Sequence, residues 1–192
     1  MKERQPHVQA IIEAALYLGK MICVTNEKEA EKRDQMFLTG KVPLFPPFPI
    51  LTAGVLHYTE NGSLAKLSGE LSVQGKVLYM GKEGLFDDTV GSGWMVISKS
   101  NPHEFLNEKH LELFKKIGAK ILYFSEEAAT NQSFVDIEGV YNSFFNEHNI
   151  EAVIVRPDFY IFGAAPTLNQ LSVVADDLYN QLTSHYSLQS QS

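Results

Sequence analysis

Cysteine is all but missing from this 192-residue sequence, with Cys23 as the single thiol. One thiol excludes an intramolecular disulfide and any Cys-x-x-Cys redox pair. Clustered positive charge is missing too: 16 Lys and Arg stand against 23 Asp and Glu, for a net charge of −7. Nucleic acid and anionic membrane surfaces are held by clustered cations, so neither is an expected partner. No apolar run approaches the ~20 residues of a membrane-spanning helix. The opening Met-Lys-Glu-Arg-Gln-Pro-His is charged and lacks an apolar h-region, so the expectation is no signal peptide and a cytoplasmic chain. The N-x-S matches at Asn61 and Asn131 are then expected to be accidental, because glycosylation requires secretion. No G-x-G-x-x-G opens a helix, and Gly91-Ser92-Gly93 lacks the lysine and spacing of a phosphate loop. A G-x-S-x-G nucleophile elbow is also absent.

What is present supports a packed core, with 44% hydrophobic and 20% charged residues. The length suits one domain plus an appendage, or two small domains. Val8, Ile11, Ile12, Ala15, Leu16 and Ile22 keep helical spacing and predict a helix over residues 6–25. A charged helix is expected over 27–37, ending near Gly40. Residues 42–49 then carry four prolines, which no regular element survives, so an extended connector and domain boundary belong there. The expected division is a helical segment with its connector over 1–50, an α/β domain over 51–186, and a polar tail over 187–192.

Within the second part, Leu51 to Tyr58 reads as a strand and Asn61-Gly62 as a tight turn. Residues 69–84 are glycine-punctuated and carry no clear pattern. Asp87-Asp88 leads through Gly91 and Gly93 into a buried strand at Trp94 to Ser98. A helix is expected over 103–117, stopped by Gly118, then a strand over 120–125 and a helix over 137–148. Val153 to Ala165 is an apolar run broken at Arg156-Pro157-Asp158, which reads as a hairpin turn. Thr167 with Gln170 three residues on predicts a capping box for a last helix carrying Leu168, Leu171, Val174, Leu178 and Leu182.

Few residues invite chemistry. None of the six histidines forms a H-x-x-x-H or H-E-x-x-H pattern, and His103 and His110 are expected to be ordinary exposed residues sharing one helix face. No metal site is expected. Asp87-Asp88 could act as an acid/base or cation-binding pair, but a turn in which aspartate binds local amides is the stronger reading. Cys23, between Ile22 and Val24, reads as a small buried apolar residue. Arg156 interrupts an apolar strand; it could bind an anion, though an ion pair with Asp158 is preferred. Phe144, Phe145, Phe159, Tyr160 and Phe162 read as core, since no basic groove accompanies them.

Several segments together resemble a known pattern. Glu3-Arg4-Gln5-Pro6-His7, followed by its helix, resembles the ER-x-PH helix of single-component FAD-dependent aromatic hydroxylases, the group of the phenol and 3-(3-hydroxyphenyl)propionate hydroxylases. Arg33-Asp34 is similar to the Arg-Asp after that helix. Leu85-Phe86-Asp87-Asp88 with Gly91-Ser92-Gly93-Trp94, and Val155-Arg156-Pro157-Asp158 with Tyr160 and Gly163, resemble two motifs of the group's C-terminal thioredoxin-like domain. The matches run in order over about residues 3–183. The resemblance implies a thioredoxin-like α/β sandwich preceded by a helical segment. Asp87, Asp88, Gly91, Gly93, Arg156, Pro157, Asp158 and Gly163 are then structural motif residues.

The group's flavin-binding motifs have no counterpart in this sequence. No residue is therefore assigned to catalysis, cofactor or metal, and FAD and NAD(P)H are expected to be bound only by the full-length family. The expected function is the non-catalytic C-terminal portion of an aromatic-ring monooxygenase, as a fragment, split or truncated form. It would dimerise or complement a separate flavin-binding chain. The alternative is a stand-alone thioredoxin-like binding module without redox cysteines. A thiol oxidoreductase or peroxidase fails for want of the cysteine.

Overall fold

In the computed structural model the described residues are 4–41, 49–126 and 130–189. The proline-rich stretch falls mostly outside them. Contacts divide the chain into residues 1–52 and 53–192.

The first unit is built on two helices. Helical spacing of apolar residues gives α1, Arg4–Ile22, and α2 follows at Glu27–Leu38. Asn26 starts α2: its side chain accepts from the Glu29 amide at 3.2 Å, and Glu27 and Glu29 favour the positive helix end. The α2 chain end is tied back by Thr39, and Gly40 follows at φ +67°. Arg33 pairs with Asp34 at 2.7 Å and donates to the Ile22 carbonyl at 3.2 Å, joining α2 to the end of α1. The His7 ring lies 3.2 Å from the Pro49 carbonyl. Neither helix buries a residue. Cys23 is exposed, which corrects the expectation of a buried thiol. No single described helix is long and apolar enough to cross a membrane.

The second unit is a seven-stranded mixed sheet. Its strands are β1 Lys76–Tyr79, β2 Lys82–Leu85, β3 Met95–Ser98, β4 Lys120–Phe124, β5 Ser133–Asp136, β6 Ala152–Val155 and β7 Ile161–Ala165, in spatial order β2-β1-β5-β4-β3-β6-β7. β3 pairs parallel with β4 (Val96 opposite Ile121) and antiparallel with β6 (Val96 opposite Ile154). All four residues of β3 and of β6 are buried, as continuous apolar runs covered on both faces require.

The helices are α3 Phe86–Thr89, α4 Glu108–Lys116, α5 Val140–His148 and α6 Leu168–Gln189. One sheet face carries a core of Phe86, Met95, Ile97, Phe134, Tyr141 and Phe145, with α3 and α5. The other carries Val96, Phe114, Ile154, Phe162, Leu171 and Leu178, with α4 and α6. The succession β3-α4-β4, α5, the β6-β7 hairpin and α6, with sheet order β4-β3-β6-β7, is the thioredoxin-like topology. β5, β1 and β2 extend it beyond β4.

The structure corrects several expectations. Leu51 to Tyr58 forms no strand; Tyr58 makes one bridge to Leu64 around the expected turn, where Gly62 has φ +79° and donates to Thr59 at 2.9 Å. From this segment His57 donates to Phe162 of β7 at 2.8 Å, and in a later loop Gly69 and Glu70 exchange bonds with Ile161. Loop segments thus cover the outer edge of β7, which protects it from foreign strands.

The β1-β2 hairpin was illegible in sequence because its turn is Met80-Gly81 rather than Asn-Gly. Both residues are left-handed, at φ +50° and +76°, as a tight hairpin turn demands. The helix expected over 103–117 is a 3₁₀ turn at His103–Phe105 followed by α4, because Asn107 starts a new helix. His103 and His110 therefore share no helix face, and His110 is fully buried. Its Nδ1 accepts from the Asn107 amide at 3.3 Å, and its Nε2 lies 3.0 Å from Asp176 of α6.

Thr167 does not cap α6 with its side chain. Its hydroxyl meets Gln170 Oε1 at 3.3 Å, and the Leu168 amide donates to Glu151 at 2.8 Å. α6 is described to Gln189, past position 187 where a tail was expected.

Candidate functional site

The two motifs singled out in sequence lie far apart along the chain, and the fold brings one carboxylate from each to the same cavity. Asp87 arrives on α3, a single helical turn where a polar turn was expected. Phe86 is the reason: it is buried against Phe134 and Tyr141, with ring centroids 5.3 Å away in each case. Asp87 accepts from the Gln74 side-chain amide and, at 3.0 Å, from the Asp88 amide. The Asp88 carbonyl accepts from Lys82 at 2.9 Å. Gly91 and Gly93, at φ +92° and +119°, take the chain from α3 into β3 in conformations that disfavour side chains. Lys120 reaches over this connection to the Val90 carbonyl.

Asp158 arrives from the β6-β7 turn. Arg156 is 8% exposed and holds Asp158 bidentately, Nε to Oδ1 at 3.1 Å and Nη2 to Oδ2 at 2.9 Å. Its Nη1 donates to the Val55 carbonyl at 2.9 Å. The preferred ion-pair reading of Arg156 is what the geometry shows. Pro157 fits the turn, and Phe159 closes it at φ +65° with its amide on the Arg156 carbonyl at 3.0 Å. Gly163 lies on β7, beside β6, and a Cβ there would stand 2.7 Å from His57 and 2.8 Å from Val174. It permits close approach of the α6 layer, as a glycine in a strand often does.

The cavity has a volume of about 260 Å³. Val73, Phe86, Met95 and Val155 contribute apolar wall, while Asp87, Asp158 and Tyr141 bring polar groups. Asp88, Gly91, Gly93 and Gly163 stay outside its wall. Tyr141, which sequence spacing marked only as core, is 1% exposed and its hydroxyl has no partner among the described residues. Burial pushes the phenol well above its ordinary value, and the Asp136 and Asp87 carboxylates push it further. It stays protonated and is a hydrogen-bond donor. The only hint of this in sequence is a tyrosine on a helix that otherwise supplies Phe144 and Phe145. Among the described residues no cluster of His, Cys, Asp or Glu could hold a metal ion.

Topology and site together define a thioredoxin-like α/β domain with a small apolar cavity between two acidic motifs. Residues 69–181 match the family model of the HcaD C-terminal domain, and the chain belongs to that family. It is 32% identical over 183 residues to a probable NADH-specific resorcinol 4-hydroxylase of Rhodococcus jostii (strain RHA1), covering 92% of this chain and 33% of the relative. A 3-(3-hydroxy-phenyl)propionate/3-hydroxycinnamic acid hydroxylase of Mycolicibacterium smegmatis is 27% identical over 183 residues, covering 84% of this chain and 33% of its own length. The chain thus spans about a third of these relatives. The crystal structure of the flavin-dependent monooxygenase PieE, in complex with FAD and substrate, shares the fold over 93% of this chain and 39% of its own, with a TM-score of 0.54 at 14% identity. The resemblance read from the sequence motifs is correct: this is the C-terminal region of FAD-dependent aromatic hydroxylases.

Proposed function

We propose that this chain is the non-catalytic C-terminal portion of a FAD-dependent aromatic-ring monooxygenase, with a structural role toward the flavin-binding portion. What carries this reading is the alignment of 84–92% of the chain with only a third of each relative. In this reading the remaining two thirds would handle FAD, NADH and the aromatic substrate, whether in one polypeptide with this region or in a separate chain. The flavin would supply the oxygen-inserting chemistry there. This chain has no glycine-rich nucleotide loop in its sequence, and Gly91-Ser92-Gly93 leads into a strand rather than a helix. The residues present do not fit FAD.

Helix α1 supports the proposal from another side. Val8, Ile11, Ile12 and Leu16 lie on one face and are 50%, 40%, 47% and 59% exposed. An apolar stripe of this kind marks a contact surface. The proposed occupant is the flavin-binding portion, with a second copy of this chain as the competing one. A cytoplasmic location belongs to the same proposal.

The test is purification of the chain alone and together with a flavin-binding portion of the same enzyme type. Alone, it is expected to be colourless and to oxidise no NADH in the presence of resorcinol. Together, the two should co-elute in size-exclusion chromatography, and Leu16→Glu should abolish co-elution. Stoichiometric flavin on the isolated chain would refute the proposal, as would dimers of the chain that exclude the flavin-binding portion.

A further inference from the structure

The cavity lined by Asp87 and Asp158 has a wall that is already in place. The Ser72 amide donates to the Phe159 carbonyl at 2.8 Å, and Leu71 bridges to Tyr160, so residues 71–74 are tied to the β6-β7 turn. Phe86 is fixed by its packing against Phe134. Leu71 is exposed and brings the wall to solvent. A volume of about 260 Å³ lies at the small end of ligand cavities and leaves no room for a polycycle or a nucleotide.

Asp87 places a negative charge at this apolar space, and nothing in the wall balances it. No lysine, arginine or histidine lines the cavity. Asp158 is neutralised by Arg156, which stays outside the wall. Lys82 binds the Asp88 carbonyl rather than a carboxylate. Asp87 takes only neutral donors, the Gln74 side-chain amide and the Asp88 amide, and both reach Oδ1. Its Oδ2 accepts from no described residue and is not buried. The charge is felt in the core behind the cavity, where it adds to burial and Asp136 in raising the Tyr141 phenol.

The complement to this wall is a cation, and its chemistry narrows which one. A metal ion does not suit it: among the described residues no cluster of ligands could hold one, and apolar walls cannot replace its water. A primary ammonium brings three donors that each want an acceptor, and Val73, Met95 and Val155 offer none. An alkylated ammonium carries its charge without that demand, and aromatic rings attract it electrostatically. Phe86 and Phe159 supply such rings. We propose that this cavity binds a small alkylated ammonium ion, its charge beside Asp87 and its alkyl groups against Phe86, Phe159 and Val155. The site belongs to this chain alone and goes beyond the structural role proposed above, on which it does not depend.

The test uses the full chain, ¹⁵N-labelled, titrated with choline and separately with 3,3-dimethylbutan-1-ol, which keeps the shape of choline with carbon in place of the charged nitrogen. Choline is expected to shift the amides of residues 71–74, 86–87 and 158–159 in a saturable way. The neutral alcohol should bind at least about tenfold more weakly, as loss of the cation's attraction to carboxylate and rings requires. Asp87→Asn keeps the Oδ1 acceptor for Gln74 and Asp88 while removing the charge, and should lose about tenfold in choline affinity. Should that variant fail to fold, the comparison of choline with the alcohol on the parent chain decides alone. The proposal is overturned if choline gives no saturable shifts at those residues, if the alcohol binds equally well, or if folded Asp87→Asn binds choline as the parent does. None of these outcomes involves flavin, so they leave the structural role untouched.

Discussion

Arg156 and Gly163 show how single positions hold this domain together. Arg156 is nearly buried, and three of its nitrogens are occupied by Asp158 and the Val55 carbonyl. Arg156→Ala strands those acceptors, but Asp158 is 32% exposed and can rehydrate. The expected loss is therefore about 2 kcal/mol, below the range for fully buried pairs, measured by urea denaturation. Arg156→Lys should recover only part of it, because an ammonium cannot match the bidentate fork. Gly163→Ala forces a methyl into His57 and Val174, two packed neighbours. Overpacking of this kind costs about 1–3 kcal/mol, and thermal unfolding of the variant would show it. His57 is itself pinned, with Nδ1 2.7 Å from Asp177, so it has little room to yield.

Among the elements, helix starts draw on carboxylates borne by neighbouring strands. α6 has its first amide bound by Glu151, just before β6, and α5 has its Asn142 amide bound at 2.9 Å by Asp136, the last residue of β5. The residue before α5 is Gly139, which has no side chain to cap with. Glu151→Ala should therefore cost about 1 kcal/mol, as loss of a cap does, and should speed amide hydrogen exchange in the first turn of α6.

The α4–α6 contact depends on pH through Asp176. Its carboxyl lies below the usual range because Lys109 and His110 donate to it, at 2.7 and 3.0 Å. A lowered native value means that this contribution is complete above the ordinary carboxylate range, near 3.8, and is lost as pH falls through the lowered value. Asp176→Ala should thus be less stable than the parent at pH 7, with a deficit that shrinks steadily below pH ~4. A deficit independent of pH would contradict this.

At the scale of the whole molecule, legibility followed the range of the forces involved. α2, β4 and the β6-β7 hairpin were readable because capping, periodicity and proline act within a few residues. β1 and β2 were not, since Met80 takes the left-handed first position of the turn before Gly81, where asparagine or aspartate would have announced it. Nor was the non-strand from Leu51 to Tyr58, where the His57 amide donates to Phe162 of β7, a hundred residues later. His110 looked like a surface histidine on helical spacing alone. Only the packing of α6 over α4 buries it and supplies Asp176. Asp87 and Asp158 were both singled out, but their meeting at one cavity with Tyr141 was not foreseeable, because no local rule relates residues that far apart.

Amino-acid order alone settled the family and the want of redox sulfur and nucleotide loop, since motifs and their succession survive without coordinates. It also settled the turn at Arg156-Pro157-Asp158, where proline and a two-residue ion pair act locally. Tertiary structure alone decided the sheet order, the buried state of His110 and the cavity beside Tyr141. Each of these arises when surfaces distant in sequence exclude water together, and that free energy is written in no single segment.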